Sequence, residues 1–226
     1  MIIGKIIEVK EREQQEYTYR DISTVARANE EGIVDLVIPS KDSDLLPFNA
    51  EGHRIVKARV SVVREPEIGD KFASRYSQKG TVSIMYRSID LPFTCYGLYP
   101  DIIMNPHGIP SRMTVGKLLE TLMGRIAVCT GEIQDATPFV DRDLNSFRRI
   151  LKSYGCNEFG NEVMYNGQTG QMYDVQFFYG PTYYQRLKHM VLDKVHSRES
   201  GPVQLLTRQP AEGRSRDGGL RLGEME

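Results

Sequence analysis

The sequence predicts a mixed α+β fold, because it carries two different hydrophobic periodicities and a glycine-rich turn. Apolar residues alternate with charged ones over 54–63, which is the spacing of a half-buried strand. Over about 115–128 they recur every three or four residues, which is the spacing of an amphipathic helix. The turn 166–170 separates two further β-rich runs, as in a hairpin.

The first 64 residues are expected to form mainly strands. Met1–Val9 and Gly32–Ile38 are apolar and β-rich, like the alternating run 54–63. Glu11–Arg20 is dense in charge and predicts a mobile loop or a solvated hairpin tip. Lys41–Gly52 contains proline, asparagine and glycine and predicts a connection.

Beyond residue 64, the sequence predicts one more strand at Thr81–Tyr86, a hairpin around the turn 166–170, and three helices. The helices are expected at about 115–128, 144–154 and 181–197. Asp143 is placed to cap the second helix and Gly155 to end it. Residues 87–113 are rich in proline and glycine and predict a long irregular segment, a feature that usually carries function.

Composition excludes several classes of protein. The 226 residues carry a formal net charge of -1, so a nucleic-acid surface must come from local clusters of charge. Three cysteines, Cys95, Cys129 and Cys156, contain no C-x-x-C pair, so we expect reduced, buried thiols and no cysteine-based zinc site. No apolar run reaches the roughly 20 residues that span a bilayer. We therefore expect a soluble, intracellular protein without a membrane partner.

The run Gly69–Gly80 is the first candidate site. It places four potential phosphate-binding groups, Lys71, Arg75, Gln78 and Lys79, between two glycines. The Walker pattern is absent. From spacing alone two interpretations stay open: two lysines that clamp a polyanion as point charges, or a solvated basic loop.

The run Asn105–Thr114 is the second candidate. Arg112 directly precedes the first expected helix, and helix N-termini attract anions, so this arginine could add a bidentate phosphate donor. His107 lies between prolines and is better explained as a loop-packing residue than as a catalyst.

Two histidines and an arginine-rich tail complete the candidates. His189 and His196 are seven apart on the expected third helix, about 10 Å along its axis, which is too far to share one metal ion. They could equally be surface or packing residues. Residues 207–223 include four arginines and four glycines, a composition that can approach a phosphate backbone closely. The arginines of this tail are Arg208, Arg214, Arg216 and Arg221.

Other catalytic patterns are missing from the sequence. It has no H-E-x-x-H, EF-loop or G-x-G-x-x-G followed by a helix. Asp141 and Asp143 have D-x-D spacing, but helix capping explains them better. A polymerase-type aspartate triad for metal is therefore not expected in this chain.

Four blocks of the sequence resemble the second-largest subunit of multisubunit DNA-directed RNA polymerases. The blocks are Gly69–Thr81, Asp101–Thr114, Gly180–Arg198 and Arg208–Glu226. They occur in the order and spacing of that family and cover nearly the whole chain. The residues of these blocks resemble the eukaryotic and large-DNA-virus members of the family. Tyr76-Ser77 departs from the His-Gly that is usual there, which suggests a viral or otherwise unusual source.

The resemblance implies a fold and a position in the larger subunit. Residues 65–226 would belong to the hybrid-binding domain and form part of a double-psi β-barrel. Residues 1–64 would be the end of the wall, or flap, region. The full subunit would be several times longer, and its zinc-bearing clamp segment would follow Glu226, so no zinc is expected in this segment.

The resemblance also implies roles. Lys71 and Lys79 would point toward the RNA 3′ end and the incoming nucleotide, Arg112 would reach the triphosphate, and His196 would lie near the initiating or terminal nucleotide. Further contacts to substrate or nucleic acid would come from Arg75, Gln78, Arg214, Arg216 and Arg221. Mg²⁺ would be bound mainly by an aspartate loop of the largest subunit.

The implied partners are the largest and other polymerase subunits, the DNA template, the RNA transcript and nucleoside triphosphates. The implied location is the nucleus for a cellular protein, or a cytoplasmic factory or virion for a viral one.

Two alternatives to this assignment remain. The isolated chain could be a catalytically inert assembly or nucleic-acid-binding module. A single-chain, barrel-type RNA-dependent RNA polymerase would need a D-x-D-G-D loop, which is absent.

Overall fold

The computed structural model describes residues 1–10, 17–26, 31–39, 55–141 and 143–226. The chain divides into two units, Met1–Glu65 and Pro66–Glu226. Helices and small antiparallel sheets both occur, so the α+β prediction is confirmed. Among the described residues no helix is long and apolar enough to cross a membrane.

The first unit contains two antiparallel strand pairs. Strand β1 (Ile6–Lys10) pairs with β2 (Tyr17–Asp21), and β3 (Ile33–Pro39) pairs with β4 (Val56–Ser61). The predicted strands at Met1–Val9, Gly32–Ile38 and 54–63 are thereby confirmed. The segment predicted as a loop or hairpin tip instead contributes most of β2, while residues 11–16 and the predicted connection Lys41–Gly52 lie outside the described residues.

The second unit contains two three-stranded antiparallel sheets and two helices. Its strands are β5 (Lys71–Ser74), β6 (Lys79–Thr81), β7 (Phe93–Thr94), β8 (Asn161–Tyr165), β9 (Met172–Phe178) and β10 (Tyr184–Arg186). Its helices are α1 (Val115–Thr130) and α2 (Leu144–Ser153). The sheet orders are β10-β5-β6 and β7-β8-β9. In the described ranges these sheets remain separate, and no closed barrel is formed.

The helix ends follow the sequence chemistry. The Asp143 carboxylate accepts a 2.9 Å hydrogen bond from the Asn145 N–H and so caps α2. Gly155, with φ of 72°, ends the same helix in the left-handed conformation. Gly131, with φ of 73°, ends α1 in the same way. The first two predicted helices and the hairpin around 166–170 are confirmed.

The predicted third helix over 181–197 is wrong. That segment contains strand β10 and a short 3₁₀ turn at Val191–Asp193. Tyr184 and Arg186 pair with Ser74 and Phe72 of β5, so the sheet ladder uses the backbone groups that a helix would need. Tertiary pairing thus overrides a helix-like spacing of apolar residues.

The predicted strand Thr81–Tyr86 is also largely wrong, because the ladder ends after β6. Gly69 and Val82 close the hairpin with a 2.9 Å bond from the Gly69 N–H to the Val82 carbonyl. Gly69 then turns away with φ of 101°, which removes the partner strand.

A small core lies in the second unit. Leu151 of α2, Ile126 of α1 and Met164 of β8 are 0%, 1% and 3% exposed. The backbone of Gly160, just before β8, approaches Leu122 of α1 so closely that an added Cβ would lie 3.1 Å from its Cδ1. The helices and the β7-β8-β9 sheet are therefore packed together beside the β10-β5-β6 sheet.

Candidate nucleic-acid interface

Lys71 and Lys79 lie on the same face of the β5-β6 hairpin. The register pairs Lys71 with Thr81 and Ala73 with Lys79. Residues directly opposite share a face, and every second residue of a strand returns to that face. The two lysines are therefore diagonal cross-strand neighbours, a relationship that separates Cα atoms by about 7–8 Å.

The lysine face borders an open groove. The groove has a volume of about 590 Å³ and is lined by Ala73, Ser74, Arg75, Ser77, Lys79, Gln185 and Leu187. Lys79 is exposed and Lys71 is half-buried. Within the described ranges neither ammonium group has a hydrogen-bond or ion-pair partner, so both positive charges are available to an anion.

Asp70 fixes the start of the strand that carries Lys71. Its carboxylate is 1% exposed and accepts hydrogen bonds from the Val191 N–H at 3.0 Å, the Arg186 guanidinium at 2.6 Å and the Glu67 N–H at 3.2 Å. The bond from Val191, followed by those from Arg186 and Glu67, lowers the pKa of Asp70 against the opposing effect of burial. Sequence reasoning missed this residue, because its only signal was an acidic side chain in a glycine turn.

Arg75 is held by α1. Its Nη2 lies 2.5 Å from Glu120 Oε1, and its guanidinium lies 5.3 Å from the centre of the Tyr183 ring. The Tyr183 N–H donates to the same carboxylate oxygen at 3.1 Å. The Arg75 side chain is still 54% exposed, so one side of the guanidinium remains open toward the groove.

Gln78 is buried, with only 3% of its surface exposed. Its Nε2 donates to the Gly108 carbonyl at 3.3 Å and to the Thr114 hydroxyl. The hydrogen bonds join the β5-β6 hairpin to the irregular segment before α1. Gln78 is therefore a buried structural residue, next to Lys79, that holds the hairpin against this segment.

Arg112 lies in the irregular segment before α1, to which Gln78 is hydrogen-bonded. It is exposed, and in the part of the chain that the structure describes its guanidinium has no hydrogen-bond or ion-pair partner. Asn105 organises the start of this segment by accepting hydrogen bonds from the His107 N–H at 3.1 Å and from its Nδ1 at 2.8 Å. His107 is thus engaged in loop packing.

The arginine-rich tail folds back on itself. His196 Nε2 donates to the Gly218 carbonyl at 2.6 Å. Arg198, which no sequence pattern singled out, donates to the Asp217 carbonyl at 2.7 Å and to the Pro202 carbonyl at 3.1 Å. These bonds leave His196 and Arg198 as organisers of the tail. The exposed His189 lies outside any helix, so the helical relation expected between it and His196 does not exist.

The three predicted tail arginines differ in their surroundings. Arg214 donates to the Leu192 carbonyl at 3.1 Å and so ties the tail to the 3₁₀ turn after β10. Arg216 and Arg221 make no side-chain hydrogen bond or ion pair within the described residues. These two guanidinium groups, like that of the exposed Arg208, have no partner among the described residues.

Lys117 lies behind the sheet, opposite the lysine face. Tyr184 pairs with Ser74, so its side chain is on the other face from Ala73 and Lys79. Lys117 is 7% exposed and donates to the Tyr184 hydroxyl at 2.6 Å. Burial lowers the pKa of Lys117 and raises the pKa of Tyr184. No pattern in the sequence distinguished this lysine from surface lysines.

The donor set of the described residues does not fit a resident metal ion. No three His, Cys, Asp or Glu side chains in the described ranges lie close enough to share one. The site offers cations instead, and ammonium and guanidinium groups are common protein partners of phosphate.

Fold and site together define a mixed α+β segment with an unpaired cationic face. Residues 1–216 match the family RNA polymerase Rpb2, domain 6, and the chain belongs to this family. It is 53% identical over 231 residues to DNA-directed RNA polymerase II subunit RPB2 of Encephalitozoon cuniculi, covering 100% of this chain and 20% of that protein. The resemblance to the second-largest polymerase subunit is thereby confirmed.

Two further relatives show the same relation. DNA-directed RNA polymerase II subunit 2 of Arabidopsis thaliana is 54% identical over 230 residues, which are 100% of this chain and 19% of the plant protein. DNA-directed RNA polymerase subunit Rpo2 of Saccharolobus solfataricus is 49% identical over 211 residues, which are 93% of this chain and 18% of that protein. The chain spans about a fifth of the length of these relatives.

Proposed function

We propose that this chain acts in transcription as the catalytic-side segment of the second-largest subunit of a DNA-directed RNA polymerase. The observation that carries the proposal is the placement of two unpartnered lysines, Lys71 and Lys79, on one face of a short hairpin. Family membership supports the same conclusion. Partners of the chain would be the largest and other polymerase subunits, the DNA template, the RNA transcript and nucleoside triphosphates.

The proposed chemistry is electrostatic positioning. Phosphoryl transfer spreads negative charge over several oxygens, and its catalysis consists mostly of positioning and charge stabilisation. Lys71 and Lys79 would hold the RNA 3′ end and the incoming nucleotide. Arg112 would contact the triphosphate, because its guanidinium is exposed, unpartnered and a potential bidentate donor.

The remaining candidates divide by their contacts. Arg216 and Arg221 are free and would contact the backbone of the RNA–DNA hybrid. Arg75 keeps an open side and would contact nucleic acid from its place against Glu120. Gln78, His196 and Arg214 already bind protein carbonyls, so we propose that they position the neighbouring cations before any contact with substrate.

We further propose that Mg²⁺ is held mainly by the largest subunit, and no step is assigned to the metal on this chain.

Residues 65–226 would form the hybrid-binding domain and contribute to a double-psi β-barrel, with residues 1–64 as the end of the wall region. We propose a nuclear location, which is supported by the relatives named as RNA polymerase II subunits of two eukaryotes; these names give no support to a viral factory or virion.

The test is Lys79→Ala in the assembled polymerase. We expect nucleotide addition to slow on the order of 100-fold, the loss typical of one charge-stabilising donor, while assembly is unchanged. Lys152→Ala, which removes an exposed lysine of α2, is the matched control and should elongate normally. Normal elongation by the Lys79 variant would refute the proposed role.

A second candidate is an assembly or nucleic-acid-binding module without activity of its own. The absence of a three-ligand metal cluster in the described ranges favours this behaviour for the isolated chain. An extension assay with template, primer, nucleotides and Mg²⁺ separates the two, since only the assembled enzyme should synthesise RNA. Robust synthesis by the purified chain would contradict both.

A further inference from the structure

Gln185 lies on the lysine face of the β10-β5-β6 sheet. The register pairs Gln185 with Ala73, and Ala73 in turn with Lys79, so these three residues form one row across the sheet. Residues directly opposite each other share a face, and all three line the groove. Gln185 and Lys79 lie two strands apart, which is roughly 10 Å at the usual strand spacing. An amide and an ammonium group therefore stand on opposite sides of the groove.

The floor of the groove between these two side chains is apolar. Ala73 contributes only a methyl group, so the middle of the row is shallow. The Leu187 N–H donates to the Lys71 carbonyl at 2.8 Å, which places Leu187 opposite Lys71 in the next row of the same face. Neither Ala73 nor Leu187 has a side chain that forms hydrogen bonds. A ligand that lies across them must therefore satisfy its polar groups at Gln185 on one side and at the lysines on the other.

The Gln185 amide is not engaged in holding the fold together. The residue is exposed, and among the described residues its amide has no hydrogen-bond partner. Gln78 differs, because it is buried and bonded to Gly108 and Thr114. A carboxamide both donates and accepts hydrogen bonds, whereas an ammonium group only donates. Gln185 therefore adds to the cationic groove a group suited to a neutral hydroxyl rather than to a phosphate.

We propose that Gln185 is a specificity-determining residue that contacts a ribose 2′-hydroxyl of the RNA strand, while Lys79 holds a phosphate of the same strand. This inference rests on the proposed function. In an A-form hybrid the bases are paired with the template, whereas the 2′-hydroxyls line the wide, shallow groove and can be reached by side chains. The 2′-hydroxyl both donates and accepts, as the amide does, and it is the group that distinguishes RNA from DNA.

The test measures binding of RNA–DNA hybrids to the assembled polymerase by fluorescence anisotropy. One hybrid has an all-ribose RNA strand, and the others each carry a single 2′-deoxy nucleotide near the RNA 3′ end. We expect one deoxy position to weaken binding by the wild type about fivefold, the typical net effect of one neutral hydrogen bond. Gln185→Leu should bind that hybrid and the all-ribose hybrid equally. The control Gln168→Leu, at an exposed glutamine of the turn between β8 and β9, should keep the wild-type preference.

The salt dependence of the same binding separates this inference from the proposed function. Gln185→Leu changes no charge and should leave the slope of log K against log salt unchanged, whereas Lys79→Gln should reduce it. If Lys79→Gln reduces the slope but Gln185→Leu keeps the 2′-hydroxyl preference, the role of Gln185 is wrong and the proposed function stands. A preference in the wild type for base identity but not for the 2′-hydroxyl would also overturn the inference. If Lys79→Gln leaves the slope unchanged, the proposed function fails and the inference fails with it.

Discussion

Asp70 and Arg186 join two strands that are 116 positions apart in sequence, through a 2.6 Å bond from Arg186 Nη2 to Asp70 Oδ2. The same carboxylate holds the Val191 N–H at 3.0 Å. Asp70 directly precedes Lys71, so the strand that presents the lysine face is anchored at its first residue. Lys71, a proposed phosphate-binding cation, is thus held in place through a buried carboxylate that does not line the groove.

Asp70→Asn should therefore destabilise the protein without a change in fold. The amide cannot satisfy Arg186 as a charged partner, and its NH₂ group cannot accept the bonds that the second carboxylate oxygen accepts. We expect a lower urea midpoint with an unchanged m-value. Asp35→Asn, which breaks an exposed pair with Arg59, is the control and should move the midpoint far less.

The contribution of Asp70 should also depend on pH. Its pKa in the folded state lies below the ordinary value of 3.8, so the unfolded state takes up a proton first as the pH falls. The stabilisation is complete above about pH 5 and is lost as the pH drops through the folded-state pKa. The stability difference between wild type and Asp70→Asn should be constant from pH 7 to 5 and shrink below about pH 4. A difference that stayed constant throughout would contradict this account.

Ser77→Gly should stabilise the hairpin. Ser77 has φ of 59°, a left-handed conformation that costs a non-glycine residue about 1–2 kcal/mol. Glycine removes that cost, and its greater freedom in the unfolded chain offsets part of the gain, which leaves about 0.5–1 kcal/mol. Chemical denaturation measures the change.

The matched control is Ser83→Gly, at an exposed serine that does not have positive φ. There the glycine only adds freedom to the unfolded chain, so stability should fall slightly or stay the same. If both variants changed stability by the same amount and sign, the left-handed conformation of Ser77 would not be the cause.

Local signals in the sequence predicted what local physics decides. Helix α1, the Asp143 cap of α2 and the Gly155 stop all depend on residues within one or two turns, and all three are confirmed. The apolar stripe predicted for α1 is only partly buried, because Val115 is exposed whereas Lys117 and Thr121 are buried. The strand predicted over 54–63 is confirmed as β4, although its valines Val56 and Val60 are exposed and its ladder is made with the distant β3. Elements held by their own sequence neighbours can be predicted from local patterns alone.

Pairing between strands that are distant in sequence could not be predicted from the spacing of apolar residues. Tyr184–Arg186 carries helix-like neighbours but pairs with β5, which lies more than 100 positions earlier. The Asp70–Arg186 bond and the buried Lys117 depend on the same distant contacts. The lysine candidates came from the sequence, whereas their common face required the hairpin register.

Lys117 should make stability rise with pH as the pH climbs from its lowered folded-state pKa toward the ordinary value of 10.5. Its folded-state pKa lies below the ordinary value of 10.5, so in this range the unfolded state binds more protons, and stability increases as protons are removed. Tyr184 acts in the opposite direction, because its raised pKa lets the unfolded state lose that proton first, so the measurement stays well below the ordinary tyrosine value of 10.0. Lys117→Met should lose the trend, so the wild type should gain stability relative to the variant as pH rises. Parallel curves from urea unfolding would contradict this prediction.

Lys71 and Lys79 should each contribute about one phosphate contact to binding of an RNA–DNA hybrid by the assembled polymerase. Neutralising one contact releases fewer counterions, so Lys71→Gln and Lys79→Gln should each reduce the slope of log K against log salt by about 0.7–0.9. Fluorescence anisotropy between roughly 50 and 200 mM salt measures that slope. Lys152→Gln, on α2, removes the same charge away from the groove and should leave the slope unchanged. The two lysines are diagonal neighbours on one face, so the slope of the double variant should fall by about the sum of the two single effects. A double variant with the wild-type slope would show that this face does not contact nucleic acid.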